Sequence, residues 1–192
     1  MKRIILASNN QHKIKEFKEI LQDVEIKSLD DIGFTEEIEE DGNTFEENAL
    51  IKTHAIQKYL KEQGKEEIVV ADDSGLCCNA LDGAPGIHSA RYAGDHNYQA
   101  NRDKLRKELK GKDRSAYFNC CIAIEYPDGT YKTFEGKTEG EIIDEERGDT
   151  SFGFDSIFLS KDLNKTFGEA PAEEKNGVSH RRRAIEKLKE VL

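Results

Sequence analysis

The β-branched run Ile68-Val69-Val70 leads straight into Ala71-Asp72-Asp73-Ser74-Gly75, and few arrangements tolerate two adjacent carboxylates at the end of a buried strand. A short apolar run bounded by turn residues reads as such a strand. Open α/β sheets place their ligands beyond the ends of these strands. Adjacent carboxylates repel unless a cation or a proton relieves them, so one reading is a divalent-metal or general-base site. The other is an Asx-type turn, for which Asp-Asp-Ser-Gly is also good chemistry. The pentapeptide alone favours the turn, so other residues must decide.

The 192 residues, 36% of them apolar, suffice for one domain with a sizeable core. No run approaches the roughly 18 apolar residues of a membrane span, and the N-terminal residues lack a signal-peptide pattern. The expectation is a soluble, cytoplasmic protein with no membrane partner. With 39 acidic against 29 basic residues the formal charge is −10, the wrong sign for a protein living on polymeric nucleic acid. A small anion in a local basic pocket is still compatible. The cysteines come as Cys77-Cys78 and Cys120-Cys121, without the Cys-x-x-Cys spacing of a zinc site. Cys120-Cys121 lies in an apolar run and reads as buried, reduced thiols, which fits the cytoplasm.

The hydrophobic pattern orders the rest of the chain. Arg3 to Ala7 reads as a strand, followed by the polar turn Ser8-Asn9-Asn10-Gln11-His12-Lys13 and a helix with Ile14, Phe17, Ile20 and Leu21 on its apolar face. Val24 to Leu29 is a second strand, and an acidic connection with Glu36, Glu37, Glu39, Glu40 and Asp41 follows. Thr44-Phe45-Glu46-Glu47 has capping-box spacing and starts a helix that buries Phe45, Ala49, Ile56 and Leu60 and ends at Gly64. Ile68 to Ala71 is the strand feeding the aspartates. Asn97 to Leu109 reads as helical, Ala116–Tyr126 and Tyr131–Lys137 as a hairpin about Pro127-Asp128-Gly129, and Ser179 to Leu192 as a closing helix. With no repeat or linker, residues 1–192 form a single mixed α/β domain whose hairpin region is able to make a second lobe.

Four further groups bear on chemistry. Ser8 to Lys13 joins a strand to a helix, where backbone N–H groups and the positive helix end favour an oxyanion and Lys13 adds charge. The plain alternative is a capped helix start with a solvated lysine. Asn48 and Lys52, four residues apart, share a helix face beside the apolar stripe. Phe152-Gly153-Phe154-Asp155 joins aromatic faces, on which a base can stack, to a carboxylate; the alternative is a bulged core strand. In Glu174 to Arg183, Ser179 is a good N-cap, which puts His180 and Arg181 in a first helical turn. Cations there oppose the helix dipole unless an anion or acceptor offsets them.

These motifs resemble those of the inosine/xanthosine triphosphate pyrophosphatase family. Ser-Asn-Asn-x-x-Lys, Thr44-Phe-x-Glu-Asn48-Ala, Ala71-Asp-Asp-Ser-Gly-Leu76, Gly83-Ala-Pro-Gly86, Ser89-Ala-Arg-Tyr92, Phe152-Gly-Phe-Asp155 and Ser179-His-Arg181 occur in its order and spacing over essentially the whole chain. The resemblance implies an elongated central mixed sheet flanked by helices, two lobes around a deep active-site cleft, and a homodimer. It implies hydrolysis of the triphosphates of hypoxanthine and xanthine nucleosides, ribose or deoxyribose, to the monophosphate and pyrophosphate. Carried over by motif, Ser8, Asn9, Asn10, Gln11, His12 and Lys13 cradle the phosphates with Lys52 nearby. Asp73 is the proton acceptor. Mg²⁺ is held by Asp72, Asp73 or both, together with a glutamate of the Glu39/Glu40 loop, assigned to Glu40. Ser74, Phe152, Gly153, Phe154, Asp155, Lys175, His180 and Arg181 match substrate-contacting positions. Two departures stand out: Phe154-Asp155-Ser156 replaces the common Tyr-Asp-Pro, and Ser8-Asn9 the frequent Thr-Gly. A Maf-type pyrophosphatase typically opens Ser-x-Ser-x-Arg-Arg, which this chain does not. A non-catalytic nucleotide binder needs no base beside a metal.

Overall fold

The structure, a computed structural model, describes all of residues 1–192. Strands β1 (Lys2–Leu6), β2 (Val24–Lys27), β3 (Ile68–Cys78), β4 (Ser115–Glu125), β5 (Tyr131–Ile142) and β6 (Phe158–Ser160) form one sheet in the order β2-β1-β3-β4-β5-β6. Helices α1 (Gln11–Ile20), α2 (Phe45–Glu62), α3 (Tyr98–Glu108), α4 (Ala172–Val178) and α5 (His180–Lys189) complete an α/β fold. β1 lies parallel to both β2 and β3, whereas β5 and β6 are antiparallel, so the sheet is mixed. Among the helices, none is long and apolar enough to cross a membrane.

The chain divides into two compact units. The first comprises Met1–Asp73, Cys120–Gly136 and Arg182–Leu192. Its register pairs Ile4 with Ile68, Ile5 with Val69 and Leu6 with Val70. Strand side chains alternate between faces, and two cores result. Ile4, Leu6 and Val70 pack with Ile14, Phe17 and Ile20 of α1 and with Ala184, Ile185 and Leu188 of α5. Ile5, Ala7, Val69 and Ala71 pack with Ile56 and Leu60 of α2. Burying each large apolar side chain is worth about 1.5–3 kcal/mol, so a one-residue slip of β3 would exchange both cores at once.

The second unit comprises Ser74–Asn119 and Lys137–Arg181. Its core joins Leu76 and Cys78 to Leu105 and Leu109 at the end of α3, and to Phe118, Phe154, Ile157, Phe158 and Phe167. All four cysteines are buried free thiols, as expected for the Cys120-Cys121 pair. Burial pushes Cys78 and Cys121 up to about 12, so both are neutral packing groups.

Most of the expected elements form. The capping box closes one residue early: Glu47 N donates to Thr44 Oγ1 at 3.0 Å, but the Glu47 carboxylate accepts from Asn43 N at 2.6 Å. Phe45 is only half-buried, and Asn48 and Thr53 occupy buried positions of α2 instead. The larger correction concerns β3. It does not stop at Ala71 but runs on through Asp72, Asp73, Ser74 and Gly75 to Cys78. The Asx-turn reading therefore fails, because both aspartates lie in mid-strand.

Candidate active site

β1 ends at Leu6 opposite Val70, so Asp72 and Asp73 lie beyond the last paired residue of their neighbour. Alternation sends Asp72 to the α1 face, with Val70, and Asp73 to the α2 face, with Val69 and Ala71. The contacts agree. Asp72 Oδ1 is 3.0 Å from Lys13 Nζ, and its Oδ2 accepts from the Cys120 thiol at 3.9 Å. Asp73 Oδ2 instead accepts from Asn48 Nδ2, on α2, at 3.1 Å. No group of three metal-capable side chains gathers anywhere in the chain. The two aspartates point to opposite faces of β3, each with its own partner, and Glu40 lies beside Lys52.

The Ser8–Lys13 turn is built as a helix entry. Asn10 caps α1 by accepting from Lys13 N at 3.2 Å, and Ser8 Oγ accepts from Asn10 N at 3.0 Å. Asn9 Oδ1 accepts from Asp30 N at 2.8 Å, which ties the turn to the segment after β2. Asn9, Asn10, Gln11 and His12 are exposed. Half of the plain reading holds: the cap is real. The other half does not, because Lys13 is paired with Asp72 rather than solvated.

Lys52 projects from α2 one turn after Asn48. Its ammonium donates to the Asp72 carbonyl oxygen and lies 3.0 Å from Glu40 Oε1. Burial works against that charge, but Asp72, Glu40 and Asp73 outweigh it and raise the Lys52 pKa. Glu40 is therefore the acidic-loop residue drawn towards this group. Gly42 explains how the loop closes: its N–H donates to Asn48 Oδ1 at 2.8 Å, and a Cβ there would stand 2.7 Å from the same oxygen. Asn48 thus serves the loop with its carbonyl and Asp73 with its amide. The sequence sets Asn48 beside Lys52 and within the Thr44-Phe-x-Glu-Asn48-Ala motif without giving it a role.

Asp73 is the perturbed carboxyl of the set. Burial pushes its pKa from 3.8 to about 6; Lys52, Asn48 and Lys13 pull it down, and Glu40 adds to the rise. A carboxyl titrating near neutrality is suited to exchange protons with a reacting water.

The second unit holds the remaining expected residues. Ser74 is half-buried in β3. Phe152 is 63% exposed and lies against Tyr98 with ring centroids 5.1 Å apart. Phe154 is 3% exposed and belongs to the core. Phe152 is thus the exposed aromatic face of the segment, whereas the Phe154 ring packs into the core. The segment is a turn followed by a short 3-10 stretch, Asp155–Ile157, not a bulged strand. The buried Arg102 of α3 holds it: Nη1 donates to the Gly153 carbonyl at 2.8 Å, and Nε pairs with Glu146. Nothing in the sequence pattern points to Arg102. Lys175 forms an ion pair with Asp155, across 20 residues of sequence. Ser179 is extended, with ψ 150, between α4 and α5, which leaves His180 and Arg181 in the first turn of α5 as expected. The His180 ring stacks on Phe118 at 5.1 Å between centroids and 18° between planes.

The model of the Ham1 family matches residues 4–191. The chain belongs to the Ham1 family. Among curated family proteins, the dITP/XTP pyrophosphatase of Bacillus subtilis is 48% identical, with 100% of this chain and 98% of that protein covered. The protein of the same name from Bacillus licheniformis is 50% identical over the same shares. Among solved Ham1 structures, that of the Staphylococcus aureus Ham1 protein superposes with a TM-score of 0.89 at 43% identity, covering 99% of this chain and 97% of that one.

Proposed function

We propose that this protein is a nucleoside-triphosphate pyrophosphatase that hydrolyses the deaminated purine nucleotides ITP, dITP and XTP to monophosphate and pyrophosphate. The observation that carries the reading is local. Asp73, with its pKa raised to about 6, shares the first unit with two lysines tied to Asp72 and with the open helix entry Ser8–Lys13. The names of full-length relatives support the substrate class.

The chemistry is addition of water to phosphorus with rupture of the α–β phosphoanhydride, a reaction governed by positioning and charge. Lys13, Lys52 and the N–H groups of the Ser8–Lys13 turn offset phosphate charge. Asp73 orients the attacking water and accepts its proton. Asn48 holds that carboxylate through one oxygen and leaves the other for the water.

Mg²⁺ fits the donors present. Asp73 is a half-buried carboxylate facing the neutral Asn48 amide, and Glu40 is a second hard oxygen donor beside Lys52, whose pKa both carboxylates raise. Mg²⁺ uses one or two protein carboxylates and completes its shell with water and substrate phosphates. Asp73 and Glu40 would hold it, and when bound it supplies charge neutralisation at the phosphates.

On the base side, the exposed Phe152 ring offers a stacking face. Arg181 and His180 are the donors for O6 of hypoxanthine or xanthine, where adenine presents an amino group. Ser74, Lys175 and Asp155 line the substrate in the same reading. A homodimer and a cytoplasmic location complete it; four buried free thiols are in keeping with a reducing compartment.

Pyrophosphate release from a panel of triphosphates, with and without chelator, tests the proposal. Turnover of inosine and xanthosine triphosphates well above that of the common four is the expected result. Equal turnover of all, or release of orthophosphate instead of pyrophosphate, would refute it.

A further inference from the structure

Asp72 and Asp73 are sequence neighbours with different surroundings. Asp72 is 2% exposed and commits both carboxylate oxygens internally, one to Lys13 Nζ at 3.0 Å and one to the Cys120 thiol at 3.9 Å. Its main-chain carbonyl takes the Lys52 ammonium, which also meets Glu40. One residue therefore touches both lysines, which stand on different helices, α1 and α2. It does so with its side chain towards one sheet face and its carbonyl towards the other helix.

We infer that Asp72 is a positioning residue that aims Lys13 and Lys52 at the phosphates, and that it is not a ligand of the metal. The inference rests on the proposed pyrophosphatase reading and deepens it. A lysine is a long, flexible point charge, and its ammonium has three donors. Lys13 can keep one donor on Asp72 and present the others to an oxyanion. Anchored in this way, it loses little freedom when charge develops on the phosphate. A carboxylate beside an anion site also repels that anion, so Asp72 contributes to turnover and opposes ground-state binding.

That opposition predicts a kinetic signature. In Asp72→Asn, kcat for inosine triphosphate should fall about 10- to 100-fold while KM stays level or drops, because the repulsion is gone. The effect should run through Lys13: in a Lys13→Ala background, adding Asp72→Asn should change kcat by less than about twofold. Mn²⁺ binding, followed by electron paramagnetic resonance without substrate, should weaken less than about threefold in Asp72→Asn and at least about tenfold in Asp73→Asn.

Two results would overturn the inference. One is equal loss of Mn²⁺ affinity in the two variants, which would make Asp72 a ligand. The other is an undiminished kcat loss in the Lys13→Ala background. Should Asp72→Asn fail to fold, Lys13→Met carries the kinetic test and must itself lower kcat rather than raise KM; a pure KM effect would sink the idea. If the parent released no pyrophosphate at all, the functional reading would fall, while the Mn²⁺ ranking would still decide the role of Asp72.

Discussion

Asn48 Nδ2 donates to Asp73 Oδ2 at 3.1 Å, so the partially buried carboxyl faces a neutral amide where its neighbour Asp72 faces an ammonium. A neutral donor compensates burial only in part, and the Asp73 pKa stays raised, near 6. The cost of that arrangement is measurable. Between 3.8, the unfolded value, and about 6, the native state holds a proton that the unfolded chain has released. Stability therefore falls as pH rises through that window, and the penalty is fully present above it.

Asp73→Asn removes the penalty. Without metal at pH 7.5 the variant should be more stable than the parent by about 1–3 kcal/mol, and at pH 3.5 the two should match. Urea denaturation in chelator at both pH values checks this. A variant less stable than the parent at pH 7.5 would mean that Asp73 is well compensated when charged.

The same substitution should cost turnover. Losing a positioned base lowers kcat by roughly 10²–10⁴. Steady-state hydrolysis of inosine triphosphate by folded Asp73→Asn is the measurement. Parent-like activity would remove Asp73 from the mechanism.

Metal dependence should follow Glu40 as well as Asp73. Chelation should abolish activity and Mg²⁺ restore it. Glu40→Gln should raise the Mg²⁺ concentration needed for half-maximal rate by at least about tenfold, the scale of losing one carboxylate donor. Full activity in excess chelator would exclude the metal.

The two phenylalanines of Phe152-Gly153-Phe154 should separate cleanly. Phe154→Ala should cost about 3–5 kcal/mol of stability, because the ring is buried. Phe152→Ala should leave stability within about 0.5 kcal/mol, and should weaken purine nucleotide binding by about 1–3 kcal/mol if the ring stacks on the base. Thermal denaturation and calorimetric titration together read both. Equal stability losses would show that Phe152 is structural too.

Arg181 tests base recognition. If it donates to O6, Arg181→Ala loses a charge-assisted hydrogen bond worth about 1.5–3 kcal/mol, and kcat/KM for inosine triphosphate should fall roughly 10- to 150-fold. Adenosine triphosphate should be nearly unaffected. An equal loss for both would move Arg181 to the phosphates or to the support of α5.

Local patterns carried most elements because their causes are local. Ile14, Phe17 and Ile20 mark one face of α1, Thr44 and Glu47 mark the start of α2, and Asn97 caps α3 by accepting from Ala100 N at 3.1 Å. Motif order carried the family, since each motif needs only its own spacing. α4 is not legible in the sequence, because Ala172–Val178 shows no apolar periodicity and is only 7 residues long.

What only the tertiary structure decided was direction and partnership. Asp-Asp-Ser-Gly is good turn chemistry by itself, yet β3 continues through it because Leu76 and Cys78 have a core to enter. That continuation sends Asp72 and Asp73 to opposite faces, so that one carboxylate meets the Lys13 ammonium and the other the Asn48 amide. Phe152 and Phe154 look equivalent in sequence, but packing leaves one exposed and buries the other. Lys13 with Asp72, Asn48 with Asp73, Arg102 with Gly153 and Lys175 with Asp155 are contacts over 20 to 59 residues of sequence. Spacing along a chain specifies which groups a helix turn or strand presents, whereas the partner each group meets depends on which elements the burial of apolar surface brings together.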